Sequence, residues 1–312
     1  MVFWILTGCI AVVLILLAAR FCYRMVFYNM NDREDDVYAI PPGKQYEAVS
    51  NVMLENIRQL QQIPYEQIYI TASDGERLAG KYYHFKDYAP VQILFHGYRG
   101  NGIREYACGN QIARALGYNT IVVDERAHGK SGGHTISFGI KERWDCLDWA
   151  EYARNRFGGR IKLILSGVSM GAATVLMASE LDLPETVAAI TADCPYSSPG
   201  EIIRKVTADV RLPAKLIYPF VIVGALVFGH FRLWENSPVK AVRNTDIPIL
   251  LVHGGEDRFV PCAMSKAIYA ACNSRKKLAI FPEAGHGLSY LVDSERYKKL
   301  YQDFFRECGI PI

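Results

Sequence analysis

Gly167-Val168-Ser169-Met170-Gly171 is a short glycine-flanked stretch that separates two apolar runs. The run before it, 161–165, predicts a buried strand, and the run after it, 172–178, predicts a helix. A Gly-x-Ser-x-Gly pentapeptide between a strand and a helix is typical of a nucleophile elbow, a turn so tight that larger side chains at the glycine positions would collide. Such a turn presents the serine hydroxyl at a helix N-terminus, where free N–H groups favour negative charge. The alternative is a glycine-rich turn whose serine only caps the helix.

Polar, glycine-containing stretches also follow the other predicted strands. Active sites of open parallel sheets lie at the carboxyl ends of the strands, so these stretches are candidate site loops. They are HGYRG (96–100) after the run 91–95, DERAHGKSGG (124–133) after 120–123, HGGEDRFVP (253–261) after 247–252, and PEAGHG (282–287) after 278–281. Together with the serine turn, they bring a serine, carboxylates and imidazoles to one edge of the predicted sheet.

The alternation of apolar strands and helices from residue 91 onwards predicts an α/β fold with a mostly parallel sheet and helices on both faces. Before it, the segments 65–71 and 77–85 flank the turn sequence SDGE (73–76) and predict an antiparallel hairpin. We therefore assign residues 65–312 to one α/β domain. The chain length of 312 residues is compatible with a single α/β unit.

One segment, about 197–242, breaks the alternation because it contains no strand signal. Its part 212–231 is strongly apolar but is interrupted by Pro219. We expect a helical lid inserted over the active site, and an apolar lid favours an apolar substrate group. A second membrane contact is the alternative, although the uncharged part is short for a full span.

The N-terminal stretch 2–19 contains no charged residue, and its length is about that of a membrane-crossing helix. We predict an uncleaved anchor over residues 1–20 and a juxtamembrane connector over 21–64. The alternatives are a cleaved signal peptide, for which a basic segment and a good cleavage site are missing, and a buried core helix. Arg20 and Arg24 favour a cytoplasmic position for the part of the chain after the span.

Composition narrows the function classes further. The net charge of +3 is small and no basic run stands out, so nucleic acid is not an expected partner. The eight cysteines form no CxxC pair and show no metal-ligand spacing. Scattered single cysteines are typical of a reducing compartment, so we expect the globular part to be cytosolic, with no metal and no cofactor.

These motifs, in this order, resemble the α/β-hydrolase family, whose chain order is Ser, Asp, His. The resemblance covers about residues 65–308 and is strongest to membrane-anchored serine hydrolases with an HGY…GNG oxyanion loop and an HGxxDxxVP acid loop. It implies that Ser169 is the nucleophile, His286 the general base and Asp257 the acid that orients the imidazole. It also implies an oxyanion hole made by the backbone N–H groups of Tyr98 and Met170.

Other residues compete for these roles. Asp193 ends the strand before the insertion and is the rival of Asp257 as the orienting acid. His96, His128 and His253 stand at positions where the family uses histidine to shape loops. By the same resemblance, Asp124 and Arg126 are expected to tie neighbouring loops together. Cys194 stands beside Asp193, and nothing in the sequence marks it as reactive.

The sequence therefore predicts a membrane-anchored serine hydrolase that cleaves a carboxylic ester, thioester or amide through an acyl-enzyme. The expected substrate is a small-molecule or lipid-like acyl compound. A peptidase or an acyltransferase on the same scaffold is the first alternative, because the three activities share the triad. A binding protein that kept the fold without activity is the second.

Overall fold

The computed structural model describes residues 1–30 and 36–312; residues 31–35, within the predicted connector, lie outside the described residues. The strands are β1 (Glu66–Thr71), β2 (Arg77–Tyr83), β3 (Val91–Phe95), β4 (Asn119–Asp124), β5 (Leu163–Val168), β6 (Val187–Asp193), β7 (Ile249–Gly254) and β8 (Lys276–Phe281). The helices are α1 (Val2–Val26), α2 (Lys44–Glu47), α3 (Ser50–Gln61), α4 (Gly102–Ala115), α5 (Glu142–Phe157), α6 (Met170–Ala178), α7 (Pro199–Asp209), α8 (Ala214–Val227), α9 (Pro238–Ala241), α10 (Cys262–Ala271), α11 (Ser289–Val292) and α12 (Ser294–Glu307).

The strands form one eight-stranded sheet in the order β1-β2-β4-β3-β5-β6-β7-β8. β2 is antiparallel to both of its neighbours, and every other neighbouring pair is parallel. The central strands are buried along their whole length because helices cover both faces, which is why they read as continuous apolar runs. The predicted α/β fold, with its leading hairpin β1–β2, is confirmed.

One face of the sheet is packed without interruption, and we call it the solid face. α5, α6 and α10 cover it, and a single apolar cluster joins them to the strands through residues such as Trp149, Val175 and Ile268. Leu165 of β5 is part of this cluster and is fully buried. Interdigitated side chains of this kind leave no room for a ligand.

The opposite face is covered by α3, α4 and α12, and we call it the hollow face. It carries two separate apolar clusters instead of one. The first includes Phe281 and Phe304, and the second includes Ile57, Leu94 and Tyr106. The gap between these clusters leads to the serine turn.

α1 extends six residues beyond the predicted end of the anchor at residue 20. Residues 1–17 are exposed, whereas Ala19 and Phe27 are fully buried against the domain. Among the described residues, α1 alone is long and apolar enough to cross a membrane. Only 6% of its most apolar 18-residue stretch is buried. That exposure is incompatible with a buried core helix.

The segment 197–242 contains three helices and no strand, as the sequence predicts. Its apolar helix α8 packs along the C-terminal half of α1. The two backbones approach closely at Gly224, where a Cβ atom would lie 2.7 Å from the carbonyl oxygen of Ala19. The aromatic ring of Phe228 continues the contact at 5.9 Å from the ring of Tyr23.

Candidate active site

Ser169 lies in the turn between β5 and α6, with φ 55° and ψ −111°, a conformation that costs free energy for a residue with a side chain. The flanking glycines explain how the turn closes. A Cβ atom at Gly167 would lie 2.2 Å from the backbone of Gly171, and one at Gly171 would lie 1.9 Å from the carbonyl oxygen of Phe95. The turn therefore has the close approaches that the pentapeptide predicts, and its serine is the N-cap residue of α6.

The structure brings Ser169, His286 and Asp257 together from three separate loops. His286 Nε2 lies 3.0 Å from Ser169 Oγ, and His286 Nδ1 lies 2.7 Å from Asp257 Oδ2. With the proton on Nδ1, the imidazole donates to the carboxylate and presents a lone pair to the serine hydroxyl. This is the geometry in which an imidazole can accept the proton of an attacking serine.

Asp257 is buried and is held by several donors. Its Oδ1 accepts hydrogen bonds from the backbone N–H groups of Phe259 (2.9 Å) and Val260 (2.8 Å). Burial alone would raise the pKa of Asp257, but the hydrogen bonds from His253 and His286 hold that pKa well below its usual range. The carboxylate is therefore ionised next to the imidazole. The competing acid, Asp193, bonds to Tyr297 instead.

The loop after β3 lies directly against the serine. A Cβ atom at Gly97 would lie 3.3 Å from Ser169 Cβ. The N–H of Gly97 donates to Glu105 Oε2 at 2.6 Å, which fixes the loop from the first turn of α4. The sequence analysis missed Glu105, although an acidic residue in the first turn of a helix next to a glycine loop is a readable signal. Tyr98 and Met170, the predicted oxyanion-hole residues, follow Gly97 and Ser169 in the chain.

The same loop is tied to the end of α1. The hydroxyl of Tyr98 donates to the carbonyl of Val26 at 2.8 Å. The guanidinium of Arg99 donates to the carbonyls of Met25 (3.1 Å) and Tyr28 (3.0 Å). These carbonyls belong to the last turn of α1 and the residues after it, where backbone carbonyl groups have no N–H partner within the helix. The helix end and the site loop therefore form one hydrogen-bonded unit.

A cavity of about 690 Å³ begins beside Ser169 and His286 and extends into the hollow face. Its cover comes from the connector: Ala39, Ile40, Pro41, Pro42, Gln45, Tyr46 and Met53. The hydroxyl of Tyr46 donates to the carbonyl of His286 at 2.9 Å, and Arg104 Nη1 donates to the carbonyl of Ala39 at 3.0 Å. The connector is thus packed on the site rather than being a simple spacer.

The predicted lid, 197–242, does not border this cavity, although Ile202 and Val221 of the segment share an apolar cluster with Met170. None of the described residues that line the cavity belongs to this segment. The physical reason is that the apolar surface of α8 is used against α1, which the sequence pattern could not reveal because both helices are apolar over most of their length. The expectation of an apolar substrate group, which depended on that lid, stays a prediction.

The histidines that the sequence assigns to loop shape bridge neighbouring loops. His96 Nε2 accepts from the N–H of Glu125, and His128 Nε2 accepts from the N–H of Arg99, both at 3.0 Å. Burial is the main reason that the pKa of His96 is well below its ordinary value, so this ring is neutral. Arg126 ties the adjacent loop to Asp145 through two hydrogen bonds of 2.6 and 2.5 Å.

Cys194 Sγ lies 3.9 Å from His286 Nε2, and Cys194, Asp257 and His286 together offer ligand atoms within 4.8 Å of one another. A metal ion there would need a thiolate and a free imidazole nitrogen. Burial raises the pKa of the Cys194 thiol well above its ordinary value, and the carboxylates of Asp193 and Asp257 raise it further. The same imidazole nitrogen already faces Ser169. This donor set fits a serine triad better than a metal centre.

Two family models match the chain. The model described as alpha/beta hydrolase fold matches residues 90–226, and the model described as serine aminopeptidase, S33, matches residues 233–291. The two matches are consecutive and cover the serine turn, the acid loop and the histidine loop. The chain belongs to the α/β-hydrolase family. The resemblance drawn from the five loop sequences is confirmed.

Individual relatives agree with this assignment. The Bacillus subtilis protein YqkD is 29% identical over 190 residues, which are 61% of this chain and 62% of YqkD. The Saccharomyces cerevisiae membrane protein YNL320W is 25% identical over 199 residues, 63% of each chain. This chain thus spans less than two thirds of the length of these two relatives. The Pyrococcus furiosus esterase Pf2001 has a similar fold, with a TM-score of 0.63 and 21% identity over 80% of this chain and 93% of the esterase.

Proposed function

We propose that this hydrolase cleaves a carboxylic ester through an acyl-enzyme on Ser169. The observation that carries the proposal is the continuous hydrogen-bonded chain from Ser169 through His286 to an ionised Asp257. A serine hydroxyl is a weak nucleophile at neutral pH and needs a base within hydrogen-bond distance. His286 is that base in the proposed mechanism, because its Nε2 lies 3.0 Å from Ser169 Oγ.

The reaction has two halves. Ser169 Oγ attacks the ester carbonyl carbon while its proton moves to His286 Nε2, and the carbonyl oxygen becomes an oxyanion held by the N–H groups of Tyr98 and Met170. The C–O bond to the alcohol then breaks, and His286 gives its proton to the leaving oxygen. A water molecule, deprotonated by His286, attacks the acyl-enzyme, and release of the acid restores Ser169.

The proposal includes a membrane anchor. Residues 2–17 of α1 are exposed and the helix is long enough to cross a bilayer, and the relative YNL320W is named a membrane protein. We assign the catalytic domain to the cytosol, because Arg20 and Arg24 follow the span and all eight cysteines are unpaired. Thiol labelling from each side of intact vesicles tests this assignment, and labelling of the domain only from outside would overturn it.

The nucleophile is tested first with a fluorophosphonate probe on the full chain in detergent. We expect the wild type to be labelled and Ser169→Ala to lose both labelling and roughly 1,000-fold or more of its nitrophenyl ester turnover, since the acyl-enzyme forms on the Ser169 hydroxyl. Ser179→Ala is the matched control, because Ser179 is also buried and lies at the other end of the same helix. Labelling of Ser169→Ala equal to the wild type would reject the proposal.

An aminopeptidase is the second candidate, because the model described as serine aminopeptidase, S33, matches residues 233–291. The triad is common to both reactions, so the substrate must decide. Hydrolysis of aminoacyl-nitroanilides at a kcat/KM above that of every nitrophenyl ester would favour the peptidase. Transfer of the acyl group to an added alcohol or amine, in preference to water, would indicate an acyltransferase.

A further inference from the structure

The hollow face contains polar side chains on central strands where apolar ones are expected. Gln92 of β3, Ser166 of β5 and Thr191 of β6 are each at least 96% buried. They occupy three neighbouring strands, since β5 pairs with both β3 and β6. Each of these side chains carries a desolvation cost that an apolar residue would avoid. Their hydrogen bonds run to one another rather than to the triad, so the catalytic geometry does not account for them.

These side chains form a hydrogen-bonded group. Gln92 Nε2 donates to Ser166 Oγ at 2.6 Å, and Thr191 Oγ1 donates to the same oxygen at 2.7 Å. Tyr301 of α12 lies next to Thr191, and its hydroxyl bonds to that of Tyr297, which lies 2.8 Å away. The group therefore connects the strands of the hollow face to α12.

Asp193 is the last member of this group, and one of its two carboxylate oxygens has no hydrogen-bond partner among the described residues. Tyr297 donates to Asp193 Oδ2 at 3.1 Å, whereas Oδ1 has no hydrogen-bond partner among the described residues. Asp193 is 95% buried, so bulk water does not compensate Oδ1. A buried carboxylate oxygen without a donor is costly, and such an oxygen calls for a partner that the described residues do not provide.

The group lies at the inner end of the catalytic cavity. Gln92, Ser166, Asp193, Tyr297 and Tyr301 all line the cavity that begins beside Ser169. Ser166 precedes Ser169 by three residues, which corresponds to about 10 Å along an extended strand. An acyl chain attached to Ser169 would therefore reach the group if it ran along the hollow face of the sheet.

We propose that this inner end is a specificity subsite for a hydrogen-bond-donating group, a hydroxyl or an ammonium, at the far end of the substrate's acyl chain. The inference rests on the proposed esterase function and names its substrate class: acyl chains that end in a donor rather than in a methyl group. A donor would satisfy Asp193 Oδ1, whereas a methyl group would displace water and leave the polar group unpaired. Sites built to bond a polar group reject analogues that lack it.

The test uses nitrophenyl esters whose acyl chains of four to ten carbons end in a methyl, a hydroxyl or an ammonium group. We expect one chain length at which the hydroxyl or the ammonium ester has a kcat/KM at least tenfold above that of the methyl ester. The two donor series distinguish a neutral from a charged ligand. A preference for the methyl ester at every length would overturn the inference.

Two variants locate the preference. Asp193→Asn and Tyr297→Phe should each reduce the ratio of donor to methyl kcat/KM to threefold or less. Tyr118→Phe is the matched control, because Tyr118 is a buried tyrosine whose hydroxyl likewise has no partner among the described residues but lies outside the cavity lining. If Asp193→Asn fails to fold, Tyr297→Phe decides. An unchanged ratio in a folded Tyr297→Phe would reject the subsite.

The probe experiment separates this inference from the proposed function. Fluorophosphonate labelling of Ser169 together with a methyl preference would overturn the subsite and leave the esterase in place. Absence of both labelling and ester hydrolysis in the folded wild type would overturn the proposed function and the subsite with it.

Discussion

The two faces of the central sheet use the same strands and are packed in opposite ways. On the solid face, side chains such as Leu165 and Val175 belong to one continuous apolar cluster. On the hollow face, the strands place Gln92 and Ser166 among apolar neighbours, and two clusters are separated by a cavity of about 690 Å³. The solid face thus supplies rigidity to the serine turn, whereas the hollow face supplies volume next to it.

The largest expected effect on the stability of the fold comes from truncating one leucine on each face. Leu165→Ala on the solid face should lower the free energy of unfolding by about 4 kcal/mol, because the surrounding cluster cannot collapse into the space. Leu94→Ala on the hollow face should cost about 3 kcal/mol, since Leu94 already borders the cavity. Urea unfolding of the full chain in detergent measures both. A larger loss for Leu94→Ala would contradict the contrast between the faces.

An intermediate effect is expected from enlarging a side chain on each face. Val175→Trp should destabilise the protein by about 1–3 kcal/mol, because the solid face has no space for an indole. Ile112→Trp should fill part of the cavity, which Ile112 lines. We expect it to lower kcat/KM for ten-carbon acyl esters about tenfold while acetyl esters are hydrolysed as before. Equal losses for both esters would indicate that acyl chains do not enter the hollow face.

The smallest effect on stability concerns Asp257, which lies in the loop between β7 and α10. Its pKa in the folded protein is below the ordinary value of about 3.9, so its contribution to stability is present at neutral pH and is lost as the pH falls below about 4. Asp257→Asn should therefore be less stable than the wild type at pH 7, and the difference should narrow at pH 3. Thermal unfolding at the two pH values measures it. A constant difference would mean that the carboxylate has no special stabilisation.

The fold and the spatial grouping of Ser169, Asp257 and His286 could be predicted because both leave local signals. The close approaches at Gly167 and Gly171 forbid larger side chains, so the serine turn is visible in five residues. The Ser169, Asp257 and His286 loops each follow an apolar strand, and parallel strands bring their carboxyl ends to one edge. Periodicity and turn chemistry therefore define the sheet and the site together.

The cavity and its cover could not be predicted, because they depend on which surfaces meet. Pro41 and Pro42 look like a simple chain break in the sequence, yet they cover the cavity. The apolarity of α8 indicates burial but does not identify the helix that it packs along, which is α1. Gln92 within the apolar run 91–95 is a local sign of the polar inner end, but a polar residue in a strand does not reveal its neighbours in the sheet.

The bonds from Tyr98 and Arg99 to the end of α1 have a geometric consequence. The uninterrupted exposed stretch ends at Leu17, and Val26 lies nine residues further along the same helix, about 13 Å at 1.5 Å per residue. With α1 crossing a bilayer as proposed, Ser169 would be held at a fixed height, just above the layer of lipid headgroups. The enzyme could then rotate about its anchor without changing that height, so substrates would be selected by how far their ester bond projects from the lipid surface.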